Sequence, residues 1–252
     1  MEGRNRIFLY ILTALFIVAS HRSTPLKGAE TLKVATAKST QKSVTKAKQK
    51  KSKTALYFES IGLVNIAEAD SSIAVHLMYA SADNFTGQVL YTDLKEAYLH
   101  RDAAKALLSA QRILKRIHPK YSLIIYDAVR PMSVQQKMWN AVKGTSRNIY
   151  VSNPANGGGL HNYGVAVDIS IIDSLGNPLP MGTEVDHLGI EAHIANEAQL
   201  VATGKMTRKE QENRRLLRLV MKKAGFRVLP TEWWHFNLCS RSVAKQKYKL
   251  IQ

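Results

Sequence analysis

Two motifs far apart in the sequence carry residue types that bind metal ions together. The first is His-x-x-Gly-x-Ala-x-Asp, from His161 to Asp168, and the second is Glu-Trp-Trp-His, from Glu232 to His235. A single ion can be held by both only if the fold brings these distant segments side by side. The pair of motifs therefore constrains the fold more strongly than any other feature of the sequence.

The residue types in these motifs are those of a catalytic metal centre. Two imidazoles and one carboxylate, with a fourth position open to water, are a common ligand set for catalytic zinc. His161, Asp168 and His235 supply that set, and Glu232 is of the type that acts as general base in water attack. An isolated histidine is more often structural, but here each histidine is accompanied by further groups of the same chemistry. We therefore predict one zinc site per chain.

Local sequence indicates how the first motif is shaped. The run of three glycines before Leu160 predicts a loop in which the backbone makes close approaches. Gly164 permits a turn that returns His161 over Asp168. If residues 165–168 are extended, Ala166 and Asp168 face the same side, and the small alanine leaves space beside the ligand.

The second motif requires an irregular strand. In a regular strand Glu232 and His235 would face opposite sides. We therefore expect Glu232 at the entrance of the strand, in the turn after Pro230. Trp233 and Trp234 either form an apolar wall that raises the pKa of a nearby carboxyl group or pack in the core, and both roles are compatible.

Arg130 lies between a predicted buried strand and Pro131. A guanidinium at this position can face negative charge that develops on a carbonyl oxygen in a transition state. The alternative is a salt bridge to Asp127 or another acid. The pattern alone leaves both interpretations open.

The distribution of charge argues against nucleic-acid binding. The chain of 252 residues carries a formal net charge of +17. Residues 1–54 hold twelve Lys and Arg against two acids, so +10 lies in this segment and +7 in the rest. The excess is in a tail and not on a folded face, and no nucleic-acid-binding motif is present. The tail either contacts an anionic membrane or wall polymer or is simply solvated.

The N-terminus has the pattern of an export signal. Arg4 and Arg6 precede an apolar run at 7–19, and small residues follow it. This predicts a secretory signal peptide at 1–21, with an uncleaved anchor as the alternative. Residues 22–54 are rich in Lys, Thr, Ser and Ala and predict a basic disordered linker. We expect an exported, periplasmic or envelope-associated protein whose folded domain spans 55–252. Cys239 is the only cysteine, so no intrachain disulfide can form.

The remaining pattern predicts an α+β fold with an antiparallel sheet flanked by helices. Strands are expected at 73–78, 121–126, 165–172, 226–228 and 233–238. Apolar residues at intervals of three or four predict a helix over 93–117. Ser133 and Gln136 predict a capping box for a second helix, and Thr207 and Glu210 one for a third that ends at Gly225. Strands and helices do not alternate regularly, which favours α+β over α/β.

The two metal motifs resemble those of the zinc D-alanyl-D-alanine dipeptidases, a vancomycin-resistance-type branch of the D,D-carboxypeptidase and dipeptidase group. Three further segments, at 79–87, 127–131 and 181–186, also resemble that family's motifs, and the resemblance covers roughly residues 56–240. It implies zinc held by His161, Asp168 and His235, with Glu232 as the base. It further implies that Arg130 stabilises the tetrahedral intermediate.

The same resemblance suggests a substrate site. Asp186, with Tyr79 nearby, is implied as the group that holds the free ammonium of the dipeptide. The family usually has Ser two places before the first His ligand and often a polar residue directly before it. This chain has Gly159 and Leu160 at those positions. If they help to bind the substrate carboxylate in the family, the strict preference for a dipeptide is less secure here.

The resemblance implies a zinc hydrolase that cleaves D-Ala-D-Ala, and the N-terminal pattern predicts that it is exported. A murein D,D-carboxypeptidase or endopeptidase that acts on peptidoglycan stem peptides is the first alternative. A non-catalytic wall-binding module is a weaker one, because binding alone would not require Glu232.

Overall fold

The computed structural model of the chain describes residues 51–252. The predicted signal peptide or anchor at 1–21, and the linker as far as residue 50, lie outside the described residues. The linker was expected to extend to residue 54, and helix α1 begins at Lys53. The hydroxyl of Ser52 caps that helix by accepting from the backbone N–H of Ala55. Between residues 51 and 252, no helix is both long enough and apolar enough to cross a membrane.

Helices and strands are mixed along the described chain. The α-helices are α1 (Lys53–Ser60), α2 (Ile66–Ala69), α3 (Arg101–Ile117), α4 (Met132–Val142), α5 (Glu197–Ala202), α6 (Arg208–Lys223) and α7 (Arg241–Lys247). The strands are β1 (Val64–Asn65), β2 (Ala74–Val75), β3 (Tyr98–Leu99), β4 (Ser122–Asp127), β5 (Ala166–Ile172), β6 (Arg227–Leu229) and β7 (Glu232–Asn237). Short 3₁₀ turns connect several of them, including Leu160–Tyr163 directly before β5.

The central sheet has five strands in the order β2-β4-β5-β7-β6. The pairs β4–β5, β5–β7 and β6–β7 are antiparallel, and β2–β4 is parallel. A separate antiparallel pair joins β1 to β3. The predicted α+β class with a largely antiparallel sheet is confirmed.

The core lies between the sheet and its helices. Helix α3 packs on β4 and on α6, and α6 also contacts β6 and β7. The side chains of Leu107 and Leu114 on α3, and of Leu217 on α6, are completely buried. Strand β5 is buried along almost its whole length, so it forms the centre of the sheet. A functional side chain on β5 is therefore held by rigid structure on both sides.

Two predicted helix starts differ from the structure. Helix α3 begins at Arg101 and not near Asp93, because Tyr98 and Leu99 pair with β1 and His100 caps the helix. Helix α4 begins at Met132 with Pro131 at its N-cap and no side-chain cap, so the capping box of Ser133 is wrong. The capping box of Thr207 and Glu210 at α6 is confirmed.

Candidate active site

The cross-strand register places the main site residues in one row. Asp168 on β5 is directly opposite His235 on β7 and is also aligned with Asp127 on β4. Side chains of directly opposed residues lie on the same face of a sheet. The row therefore puts Asp127, Asp168 and His235 together, although they come from three separate parts of the sequence.

His161 joins this row from the turn that precedes β5. Gly164 follows with φ of +68°, a left-handed conformation that glycine adopts at little cost. A Cβ at this position would lie 3.1 Å from the backbone nitrogen of His100 and from Val129. The predicted turn at Gly164 is confirmed, and it brings His161 back over Asp168.

Three ligand atoms converge at the site. The Nε2 atom of His161 lies 3.2 Å from Nδ1 of His235, and that atom lies 2.9 Å from Oδ1 of Asp168. Oδ2 of Asp168 is 3.3 Å from Nε2 of His161. All three residues are buried, and one ligand atom from each lies within 4.8 Å of the others. The structure thus brings together the three residues proposed from sequence as metal ligands.

The outer nitrogens of both imidazoles face oxygen atoms. Nδ1 of His161 lies 2.7 Å from the carbonyl oxygen of Ala128, and Nε2 of His235 lies 2.9 Å from Oδ1 of Asn237. A carbonyl or amide oxygen can only accept, so each outer nitrogen carries the hydrogen. In the neutral rings, the inner nitrogens then present lone pairs to each other and to a carboxylate. Such an arrangement is repulsive unless a cation lies between the three atoms, and it fits a metal ion.

The charge state of Asp168 also suits a ligand. Burial opposes its ionisation, but imidazoles of His161 and His235 that are protonated toward Asp168 outweigh this and hold its pKa well below its usual range. A metal ion in place of those protons would favour the ionised form in the same way. The carboxylate is therefore the stable form, and carboxylates are the form that binds metal ions.

Glu232 faces the same cavity from the start of β7. In the β6–β7 pair, Val228 is opposite Phe236 but Leu229 is opposite Glu232, so three extra residues of β7 lie between these pairs. Because of this irregularity, the side chains of β7 do not alternate strictly between the two faces of the sheet. Glu232 and His235 therefore face the same side, and Oε2 of Glu232 lies 3.9 Å from Nδ1 of His235. Glu232 is the first residue of β7 and directly follows the turn at Pro230, so it lies at the predicted strand entrance.

Burial raises the pKa of Glu232 to about 7. The adjacent imidazole of His235 lowers it, and the carboxylates of Asp168 and Asp186 raise it. A carboxyl group with a pKa near neutrality can both accept and return a proton at physiological pH.

Arg130 combines both interpretations left open by the sequence. Its Nε and Nη2 atoms donate to Oδ2 of Asp127 at 2.9 and 2.6 Å, so the predicted salt bridge is present. Its Nη1 atom donates to Oε1 of Gln135 at 3.0 Å. The guanidinium nevertheless lines the cavity and stacks over the ring of Tyr79. Each terminal nitrogen has a second hydrogen, so the group can also donate to a ligand.

Asp186 and Tyr79 form a second polar group in the cavity wall. The hydroxyl of Tyr79 donates to Oδ1 of Asp186 at 2.9 Å, and the backbone N–H of Phe85 donates to Oδ2 at 3.2 Å. Asp186 has φ of +72°, the only positive value among the non-glycine residues of 51–252. Such backbone strain persists where surrounding contacts enforce it, and it is common at ligand sites. Burial raises the pKa of Asp186 to about 6.

Several supporting contacts were not predicted from the sequence. Asn162 is buried and ties the His161 turn to the Arg130 segment, since its Nδ2 atom donates to the carbonyl of Arg130 at 2.7 Å. The indole of Trp233 donates to the hydroxyl of Thr183, and buried Arg214 donates to the carbonyl of Met181. These bonds anchor the loop that carries Asp186. Among these supporting residues, only Asn162 could have been suspected from the sequence, because it directly follows the ligand His161.

Comparison with known proteins agrees with this geometry. Residues 59–252 match the D-ala-D-ala dipeptidase family, peptidase family M15. The chain belongs to this family of peptidases. It is an enzyme of the metallopeptidase type, and the His161, Asp168 and His235 cluster is its candidate metal centre.

Three similar proteins carry the name D-alanyl-D-alanine dipeptidase. The Escherichia coli K12 protein is 33% identical over 176 residues, which cover 70% of this chain and 84% of the relative. A Synechocystis protein is 32% identical over 169 residues, covering 55% of this chain and 68% of the relative. The Enterococcus faecium protein is 26% identical over 199 residues, covering 71% and 92%.

The convergence of the three ligand atoms predicts one metal ion per chain. We expect the full chain to bind about one equivalent of zinc, and His235→Ala to lose it because two ligands rarely hold zinc tightly. Metal content after exhaustive dialysis measures this directly. His118→Ala, which removes an exposed imidazole at the end of α3, is the matched control. A fully loaded His235→Ala protein would show that the ligands are others.

Proposed function

We propose that the protein is an exported zinc peptidase that hydrolyses D-Ala-D-Ala to two molecules of D-alanine. The observation that carries the proposal is the presence in one cavity of the ligand cluster, Glu232 and the carboxylate of Asp186. The names of the relatives support the same substrate. The donor set of two nitrogens and one oxygen fits zinc and leaves a fourth position open.

Zinc, when bound, supplies Lewis-acid polarisation of the peptide carbonyl and makes water more acidic. His161, Asp168 and His235 would hold the ion, and the oxygen acceptors behind both imidazoles fix the ring orientation. Glu232 is not needed as a ligand, because the other three residues complete the set. Its carboxylate remains free to take part in proton transfer.

Glu232 accepts a proton from the attacking water and then delivers it to the nitrogen of the leaving amine. Its burial holds its pKa near neutrality, which suits both transfers. Arg130 faces the same cavity and stabilises the negative charge that develops on the carbonyl oxygen. Its bonds to Asp127 and Gln135 fix the guanidinium before substrate enters.

Asp186 binds the free ammonium of the dipeptide. Two donors already orient its carboxylate, but each oxygen can accept a further hydrogen bond. The αL backbone at Asp186 and the anchored loop keep the carboxylate directed at the cavity. A negative group at this point favours a short substrate with a free N-terminus over an extended stem peptide.

The location outside the cytoplasm is also proposed, on the basis of the apolar run at 7–19 after two arginines. The basic segment at 22–54 would then contact an anionic membrane or wall polymer. We expect residues 1–54 to export a reporter enzyme that is active only outside the cytoplasm. An inactive reporter, with the fusion protein retained in the cytoplasm, would contradict the proposal.

Substrate choice tests the proposed function directly. We expect the zinc-loaded full chain to release D-alanine from D-Ala-D-Ala much faster than from N-acetyl-D-Ala-D-Ala, a pentapeptide stem or L-Ala-L-Ala. Asp186→Ala should raise KM for the dipeptide, since loss of one partner of a buried charge pair costs about 2–5 kcal/mol. Glu184→Ala, which removes an exposed acid from the same loop, is the control. Equal cleavage of the free and acetylated dipeptides would favour the stem-peptide alternative.

The role of Glu232 separates metal binding from catalysis. Glu232→Gln keeps the shape of the side chain but cannot accept a proton. We expect it to retain zinc and to lower kcat by about 10²-fold or more. Metal analysis and steady-state kinetics on the same preparation measure both effects. Near-normal kcat in a zinc-loaded Glu232→Gln protein would remove this residue from the mechanism.

A further inference from the structure

Two polar groups of the cavity wall have no role in the mechanism above. They are the guanidinium of Arg241, at the start of α7, and the hydroxyl of Ser152, in the loop after α4. Both residues line the cavity that contains the ligand cluster and Glu232. Neither belongs to the motifs that the sequence identified.

Arg241 is held against the glycine loop that precedes His161. Its Nη2 atom donates to the carbonyl oxygens of Asn156 and Gly158, at 3.0 and 2.6 Å. Over residues 51–252, Arg241 forms no ion pair with a carboxylate, and its Nε and Nη1 atoms have no hydrogen-bond partner. Arg130, the other arginine of the cavity, is already neutralised by Asp127. Arg241 is therefore a half-buried cation whose counter-charge is missing.

Ser152 faces the same glycine loop, next to Gly159. A Cβ placed on Gly159 would lie 2.9 Å from Oγ of Ser152, so the absence of a side chain at 159 leaves space for this hydroxyl. The Nε2 atom of Gln135 donates to the Ser152 carbonyl at 2.8 Å, and the same amide accepts from Arg130. This connection fixes the Ser152 backbone relative to the catalytic guanidinium. Its hydroxyl, like Arg241, is a donor available to a ligand.

The charges of the cavity are thus arranged for a zwitterion. Asp186, which accepts a hydrogen bond from the neutral hydroxyl of Tyr79, supplies negative charge on the cavity wall, and Arg241 supplies positive charge beside the glycine loop. A dipeptide has one free ammonium and one free carboxylate. If the ammonium binds at Asp186, the terminal carboxylate of the dipeptide still needs a cationic partner. An arginine with free N–H groups is well suited to bind it.

We propose that Arg241, assisted by the hydroxyl of Ser152, binds the terminal carboxylate of the substrate and makes the enzyme select peptides with a free C-terminal acid. This inference rests on the proposed dipeptidase function and adds the residues that recognise the second end of the substrate. It also disfavours internal cleavage of cross-linked stem peptides, because an internal peptide bond has no such carboxylate nearby.

Binding to a zinc-loaded, full-length Glu232→Gln protein tests the proposal without turnover. Calorimetry compares D-Ala-D-Ala with D-Ala-D-alaninamide, which lacks the negative charge. We expect the acid to bind about 10- to 100-fold more tightly than the amide, the range for hydrogen bonds to charged groups. Adding Arg241→Gln should reduce this ratio to near one while the affinity for the amide changes little. Ser152→Ala should reduce the ratio less, and Arg241→Lys should keep part of it.

The ratio of acid to amide affinity separates recognition from damage to the fold. The control Lys245→Gln removes an exposed cation from the same helix. Its ratio of acid to amide affinity should equal that of the Glu232→Gln protein in which Arg241 is intact. The proposal would be overturned if the preference for the acid survived Arg241→Gln. It would also be overturned if the protein with Arg241 intact bound the acid and the amide equally, or bound neither. Release of D-alanine is measured separately with Glu232 intact. A normal ratio without hydrolysis would contradict the dipeptidase function and leave the carboxylate site standing.

Discussion

The site depends on the antiparallel register of β4, β5 and β7. Asp127, Asp168 and His235 are aligned across these strands. The other functional side chains line the cavity next to this row. A shift of one residue in the β5–β7 pair would turn Asp168 to the opposite face and separate it from His235. Completely buried residues on β5, such as Val167 and Ile169, make such a shift costly. The apolar core therefore fixes the geometry of the metal ligands.

The buried cavity contains more negative than positive charge. Asp127, Asp168, Asp186 and Glu232 lie in or beside it, against Arg130 and Arg241. Desolvation by burial raises the pKa of both Asp186 and Glu232, and the neighbouring carboxylates raise it further. A divalent cation between the ligands and a substrate ammonium at Asp186 would balance this excess. The same imbalance is thus a physical reason for a metal ion and for a substrate with a free amine.

The sequence was most informative where chemistry and spacing coincide. The motifs identified His161, Asp168, His235, Glu232, Arg130, Asp186 and Tyr79, and the structure places all of them in one cavity. Arg241 and Ser152 could not be predicted as site residues, because neither lies in a motif and only the tertiary fold brings them to the glycine loop. The predicted start of α3 near Asp93 was wrong, because Tyr98 pairs with β1 although the apolar pattern of the helix continues through this segment. The parallel pairing of β2 likewise depends on a long-range contact that local patterns do not contain.

The central claim is that one ion is held by Nε2 of His161, Nδ1 of His235 and a carboxylate oxygen of Asp168. Anomalous diffraction at the zinc edge, from a crystal of the zinc-loaded full chain, tests it most directly. The account predicts one peak about 2.0–2.2 Å from each of these three atoms, the usual range for zinc with nitrogen and oxygen ligands. A peak at Nε2 of His235, or at a site that does not include Asp168, would contradict it.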